Sequence, residues 1–300
     1  MDDLSDAAIW RRAQGDQAAT LACAAGRLGA LDERLRHAGQ GARQHLALAE
    51  ADRMCWYLGD RVSLDKLALW VAMRVRTIGA DGRALERGGW AVRRLSGGIG
   101  PDAGLAAFLG RHVTAEEDAD GLAARLSGWQ DAVDQSLHPI VASCMGYHLW
   151  NLAGLGQNDN RLEAAVTAAR IAVGPARGAV FAPLAGARAN ALWSGGDVAL
   201  RLAAWIDAID SGAMAAIAFL DRIRDWQDRA AQAMAGLSGR TPTLLRQVVA
   251  DWPLVSAPMG ESLTGASRSA VQRNLDLMQD RGLVREMTGQ GRFRCWCATL

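Results

Sequence analysis

Two serines able to cap helices, Ser256 and Ser267, enclose a short segment that ends in a glycine turn, and apolar residues recur at helical spacing behind the second serine. This pattern leaves little freedom in the local fold. Ser256 precedes a helix with Pro258 in its first turn, Met259 and Leu263 as apolar anchors, and Gly260 where a neighbouring helix must come close. Thr264-Gly265-Ala266 reads as the turn, because glycine takes a positive φ at little cost. Ser267 then caps a helix whose buried stripe is Val271, Leu275 and Met278. That stripe puts Arg268, Ser269, Gln272 and Arg273 on the outer side of the first turns. Upstream, a Thr241 cap and Pro242 open a further helix with Leu244, Leu245, Val248 and Val249 as its apolar side, closed by Trp252-Pro253.

Two extended runs follow, 283–287 and 292–296, around Thr288-Gly289-Gln290-Gly291, and they read as a hairpin with glycines at its tip. Arg292 and Arg294 then share one face of the second strand. Three short helices and a hairpin make a winged helix-turn-helix domain, with the recognition helix at 267–280 and the wing at 284–296. In such a domain the first turns of the recognition helix enter the major groove, where arginine can bond guanine and glutamine can bond adenine. The candidate DNA contacts are therefore Ser267, Arg268, Ser269, Gln272 and Arg273 on the helix, and Gln290, Arg292 and Arg294 on the wing. Charge adds little to this reading. The whole chain carries a formal +1, and 241–300 holds seven arginines against three aspartates and two glutamates. Placement, not amount, is what points to DNA.

Alanine, leucine and arginine dominate the rest of the chain, and alternating β-branched runs are scarce, so the fold class is mainly α: a helical body over 1–237 joined to 241–300. The clearest helix in the body lies between about Val198 and Leu237, with Ala216, Leu220, Ile223, Trp226, Ala230 and Met234 as its stripe and a break expected near Ser211-Gly212. Eleven tryptophans are scattered along the chain, and burial is their default, with a tryptophan-lined pocket as the alternative. The five cysteines include no C-x-x-C pair, so they read as reduced thiols of a cytoplasmic protein, with Cys295 and Cys297 as small core residues. No signal peptide and no run of about 18 apolar residues is seen, so no membrane association is expected. No cofactor, metal site or enzymatic fingerprint is expected either.

From Val255 to Leu275 and from Val284 to Arg294 the sequence resembles the helix-turn-helix domain of an uncharacterised bacterial family, in which it follows a helical domain of unknown function. More remotely, the layout resembles Fic proteins, helical AMP-transferases that often end in a winged helix. Gly196-Asp197 with the helix around Trp205 is similar to the segment joining a Fic core to its winged helix. Gly59 to Leu67 is similar to the segment after the Fic inhibitory motif, and His138-Pro139-Ile140 to the start of the Fic catalytic loop. That loop needs an acidic metal ligand, a Gly-Asn-Gly anion cradle and arginines, whereas this chain continues Val141-Ala142-Ser143-Cys144-Met145-Gly146. Leu58 stands where the inhibitory glutamate belongs. The resemblance thus implies a relative without transferase activity, with His138 serving as the N-terminal residue of a helix that begins at Pro139.

Together these readings predict a transcriptional regulator that binds double-stranded DNA as a homodimer at a pseudo-palindromic site. Two alternatives stay open: a Fic-like nucleotide transferase with a regulatory winged helix, and a protein–protein interaction module.

Overall fold

The computed structural model describes residues 4–73, 80–110, 119–133, 136–156, 161–186, 189–289 and 293–300. Along the body run α1 (Ala7–Asp16), α2 (Ala18–His37), α3 (Gln40–Tyr57), α4 (Leu64–Met73), α5 (Ala80–Ser96), α6 (Leu105–Leu109), α7 (Ala119–Ala132), α8 (Pro139–Leu149), α9 (Arg161–Ala172) and α10 (Val198–Ala233). After these come α11 (Thr241–Asp251), β1 (Val255–Ser256), α12 (Ala257–Thr264), α13 (Arg268–Asp280), β2 (Val284–Glu286) and β3 (Cys295–Ala298). The protein is mainly α, as the composition predicts.

The body is built around α8 and α9. A helix apolar on every side can only be a core helix, and α8 buries Ile140 through Tyr147 without interruption. His138 caps it, Nδ1 accepting from the Ile140 N–H at 3.2 Å ahead of Pro139. The buried Ser143 hydroxyl donates to the Ile140 carbonyl at 2.7 Å and accepts from the Trp205 indole at 2.9 Å. Outside this pair α10 lies along α2, to which it is joined by the ion pairs Arg27–Asp210 and Arg34–Asp221, and α3 packs on α5. The irregular stretch after α9 is held by two carboxylates. Asp32 accepts from the N–H groups of Arg177, Gly178 and Ala179, while the buried Glu50 accepts from Leu184 and Ala185 at 2.6 and 2.7 Å. Burial pushes the Glu50 carboxyl above its usual range despite these bonds. Six of the eleven tryptophans are at most 4% exposed, so burial was the right default for most of them.

Helix α10 takes part in two cores. Val198, Leu202, Trp205, Ile209 and Ala213 belong to that of the body; Trp226 and Ala230, with Met234 just past the helix end, join Leu245, Val249, Val271, Leu275 and Trp296 in a second. By length and composition the helix would pass for a membrane span. Val198, Leu202, Trp205, Ile206, Ile209, Trp226 and Ala230 are buried in these two cores, while Leu200 and Met214 are exposed. The break expected near Ser211-Gly212 does not occur. A Cβ on Gly212 would stand 2.5 Å from the Pro183 carbonyl, so the glycine admits a crossing segment and does not end the helix. The polar turn at 237–241 is real, but the packing boundary lies about a dozen residues earlier, inside α10.

The C-terminal sheet has the order β1-β3-β2, antiparallel throughout, with Val255 opposite Trp296 and Val284 opposite Ala298. Three details differ from expectation. The strand β1 has no counterpart in the hairpin reading. The last strand starts at Cys295, not at 292, because Phe293 has φ 57°, which interrupts extended backbone. Leu263 is 48% exposed, lying to the side of the line through Ala257, Gly260 and Thr264 by which α12 packs.

Alternation along β3 places the sheet between the two cores. Trp296 faces the second core, while Cys295, with Cys297, Met287 and Leu254, packs on the body. The seat is completed by α3, whose N-terminus meets the end of α11: a Cβ on Gly41 would lie 1.3 Å from the Asp251 carbonyl oxygen. One turn on, His45 is buried against Phe219 with ring centroids 5.7 Å apart and lies beside the Ala250 backbone. Burial lowers its pKa to about 4. Arg285 reaches across to Asp65 at 3.3 Å.

Candidate nucleic-acid interface

The recognition helix is positioned by what it buries. Val271, Leu275 and Met278 are fully buried, and α12 approaches closely because it has a glycine there: a Cβ on Gly260 would come within 2.6 Å of Val271 Cγ1 and 3.2 Å of Leu245 Cδ1. The turn between α12 and α13 has Gly265 at φ 68°, and Thr264 Oγ1 donates to the Gly260 carbonyl at 2.6 Å while accepting from the Ala266 N–H at 3.2 Å. Ser267 caps α13, its hydroxyl accepting from the Ala270 N–H at 3.3 Å with the Ser269 hydroxyl 3.2 Å away. Thr241, expected as a cap, instead begins α11, and Arg240 occupies the cap position with no side-chain bond.

The outer face holds the predicted residues, and most of them have protein partners. Arg268, Ser269 and Arg273 are exposed and Gln272 is half-buried. Arg268 donates through Nε and Nη2 to one oxygen of Glu261 on α12, at 3.0 and 2.8 Å. Gln272 donates to Asp276 Oδ1 at 3.0 Å, and the same oxygen accepts from Arg294 Nη1 at 3.0 Å. Arg294 also donates to Gln279 at 3.2 Å and stacks over Trp296, its guanidinium carbon 4.6 Å from the ring centroid. It ties the wing to α13, where the sequence suggested a free arginine on an outer strand face. Arg273 has no hydrogen bond or ion pair among the described residues. Gln290 and Arg292 lie outside the described residues.

Two further arginines of the domain are engaged away from this face: Arg281 with the Ala233 carbonyl and Arg285 with Asp65. At the root of the wing, Glu286 accepts from the Thr288 and Gly289 N–H groups at 2.8 and 3.0 Å and from the Thr288 hydroxyl. Burial acts to raise its pKa, but these bonds outweigh it and hold the carboxyl below the usual range. The residues that sequence reading missed are Glu261, Asp276 and Gln279, which hold the candidate contacts in place. Only the Gln272–Asp276 pair, one helical turn apart, had a sequence signal.

The first turns of α13 thus present guanidinium, hydroxyl and amide donors on a helix fixed from behind, the set that reads base edges and phosphates. Residues 241–298 match the family model described as an HTH DNA binding domain. The chain carries a C-terminal helix-turn-helix DNA-binding domain. The match runs from the start of α11 through β3 and does not reach the helical body, so it bears neither on that body nor on the Fic likeness. No curated protein matches the chain.

Proposed function

We propose that the protein is a transcriptional regulator that reads double-stranded DNA with the N-terminal half of α13. The observation that carries this reading is the outer face with exposed Arg268, Ser269 and Arg273 and half-buried Gln272 on the second helix of a helix-turn-helix unit, opposite a fully buried stripe. Arg268 and Arg273 address bases or phosphates, Gln272 a base edge, and Ser267 and Ser269 the backbone at the helix start; Gln290 and Arg292 follow from the wing. Arg294 acts by holding the wing against α13. One such unit touches few base pairs, so the binding species is a homodimer on a two-fold site. We assign the chain no catalytic step, since His138 serves as the cap of α8, and we place it in the cytoplasm.

Selection of bound fragments from random duplexes would give the preferred site. Arg268→Ala combined with Gln272→Ala should then weaken that site by about thirtyfold or more, each well-placed contact contributing about 1–3 kcal/mol, with the thermal midpoint unchanged. Unchanged sequence preference in the double variant, or affinity indifferent to salt, would refute the assignment.

A further inference from the structure

Between the body and the DNA-binding domain lies a cleft of about 920 Å³, within the range of small-molecule sites. Helix α4 forms one wall through Leu69, Trp70 and Val71; the segment after α11, α12 and the wing form the other through Trp252, Met259 and Phe293. Both walls are short of apolar cover. From Leu67 to Ala72 every residue of α4 is apolar, a run that in a core helix would be buried all round. Leu67 and Ala68 are buried, but Leu69, Trp70 and Val71 are half-buried and Ala72 is exposed, and these last four line the cleft. On the wing, Phe293 is 80% exposed and holds φ 57°, disfavoured for a residue with a Cβ, so an apolar ring is displayed at the edge of an apolar space.

The polar side chains of the lining are already engaged within the protein. Gln44 accepts from the Ser96 hydroxyl at 3.0 Å, Ser256 caps α12, Thr288 donates to Glu286, and Lys66 has a partner of its own. No aspartate or glutamate lines the cleft among the described residues. A charged group entering it would lose hydration and meet no uncommitted counter-charge. An uncharged apolar molecule loses nothing there and covers what the two walls leave open.

We propose that this cleft binds an uncharged, largely apolar small molecule with aromatic surface, held between α4 and the wall of Trp252, Met259 and Phe293. Apolar side chains and rings on both sides, with the polar groups spent on the protein, set that class of ligand. The apolar surface lies between two walls and not on one face, which suits a small molecule and not a second chain. The ligand also has a path to the recognition helix. Phe293 adjoins Arg294, which is bonded to Asp276 and Gln279 of α13, so a ligand that covers Phe293 acts on the strand that braces that helix. The site stands apart from the proposed function; its effect on DNA binding rests on that function.

The test uses the full chain and N-phenyl-1-naphthylamine, an uncharged fluorescent aromatic, beside its anionic analogue 1-anilinonaphthalene-8-sulfonate. The expected result is saturable binding of one uncharged probe per chain, with the sulfonate weaker by about tenfold or more. Ala72→Trp, which fills the cleft from an exposed position on α4, should weaken the uncharged probe by about tenfold or more, and Phe293→Ala several-fold. Absence of saturable binding, or wild-type binding in both variants, overturns the site; Phe293 is exposed, so its variant remains decisive should Ala72→Trp fail to fold. Sulfonate binding as tight as that of the uncharged probe overturns the ligand class. On a selected duplex, saturating uncharged probe should change DNA affinity by about threefold or more. Saturable probe binding with unchanged DNA affinity overturns the coupling. Probe binding by a chain that binds no DNA overturns the functional reading and leaves the cleft standing.

Discussion

Gly260 shows how far single residues could be read in advance. Its spacing ahead of the Val271 stripe predicted a close helix approach, and 2.6 Å from a hypothetical Cβ to Val271 Cγ1 is that approach. Valine is stiff at χ1 and cannot swing aside, so Gly260→Ala should destabilise the C-terminal core by about 1–3 kcal/mol. Urea denaturation would show it; a loss under about 0.5 kcal/mol would mean that α12 shifts freely. Glu261 makes the opposite kind of prediction. Its exposed pair with Arg268 is worth at most about 1 kcal/mol to stability, yet DNA must displace that carboxylate to take the guanidinium. Glu261→Gln should leave the thermal midpoint within about 2 °C and tighten DNA binding several-fold, and weaker binding would show that Glu261 positions Arg268 and does not compete for it. Arg294 was misread for a local reason. Strand parity placed it beside Arg292 on an outer face, but the positive φ at Phe293 resets the alternation, and its partners Asp276 and Gln279 come from another element.

Helix α10 was legible in position and type but not in allegiance. The stripe from Ala216 to Met234 has one helical period throughout, and nothing in a period says which body receives it. The answer depends on Trp226, whose indole donates to the Leu283 carbonyl at 2.8 Å, at the root of the wing. The family match begins at residue 241, so it leaves out three members of the core that the matched segment needs, Trp226, Ala230 and Met234. A fragment of residues 241–300 should therefore fail to give a cooperative thermal transition, whereas one starting near residue 221 should melt cooperatively. Within the full chain, Trp226→Ala should cost about 3–5 kcal/mol, and both results can be followed by circular dichroism. Cooperative folding of the shorter fragment would return the boundary to the polar turn at 237–241.

At the scale of the molecule, the packing of body against DNA-binding domain makes stability depend on acid in a way that can be assigned to residues. Burial lowers both His45 and His148 to about 4, the second helped by Arg201, whose Nη1 lies 3.0 Å from its Nδ1. In the unfolded chain each takes up a proton near 6.5, while in the folded protein it stays neutral until about pH 4. Their contribution is therefore complete above pH 6.5 and is lost as pH falls toward 4, at about 2 kcal/mol each by pH 5. Glu50 acts with the opposite sign. Its pKa is raised by burial, so its contribution is full below the unfolded value and fades as pH rises through the folded one. Comparing variants removes that opposing slope. Between pH 7.5 and 5, the unfolding free energy of His45→Gln should fall by about 2 kcal/mol less than that of the wild type, and Glu50→Gln should make the fall steeper. His45 packs between α3, Ala250 of α11 and Phe219 of α10, so the energy lost on its protonation is lost at the seat of the DNA-binding domain. The acid-weakened protein should accordingly show faster amide exchange along α11 before α8 and α9 are affected. If α8 exchanges first, or His45→Gln keeps the full pH slope, the seat is not where acid acts.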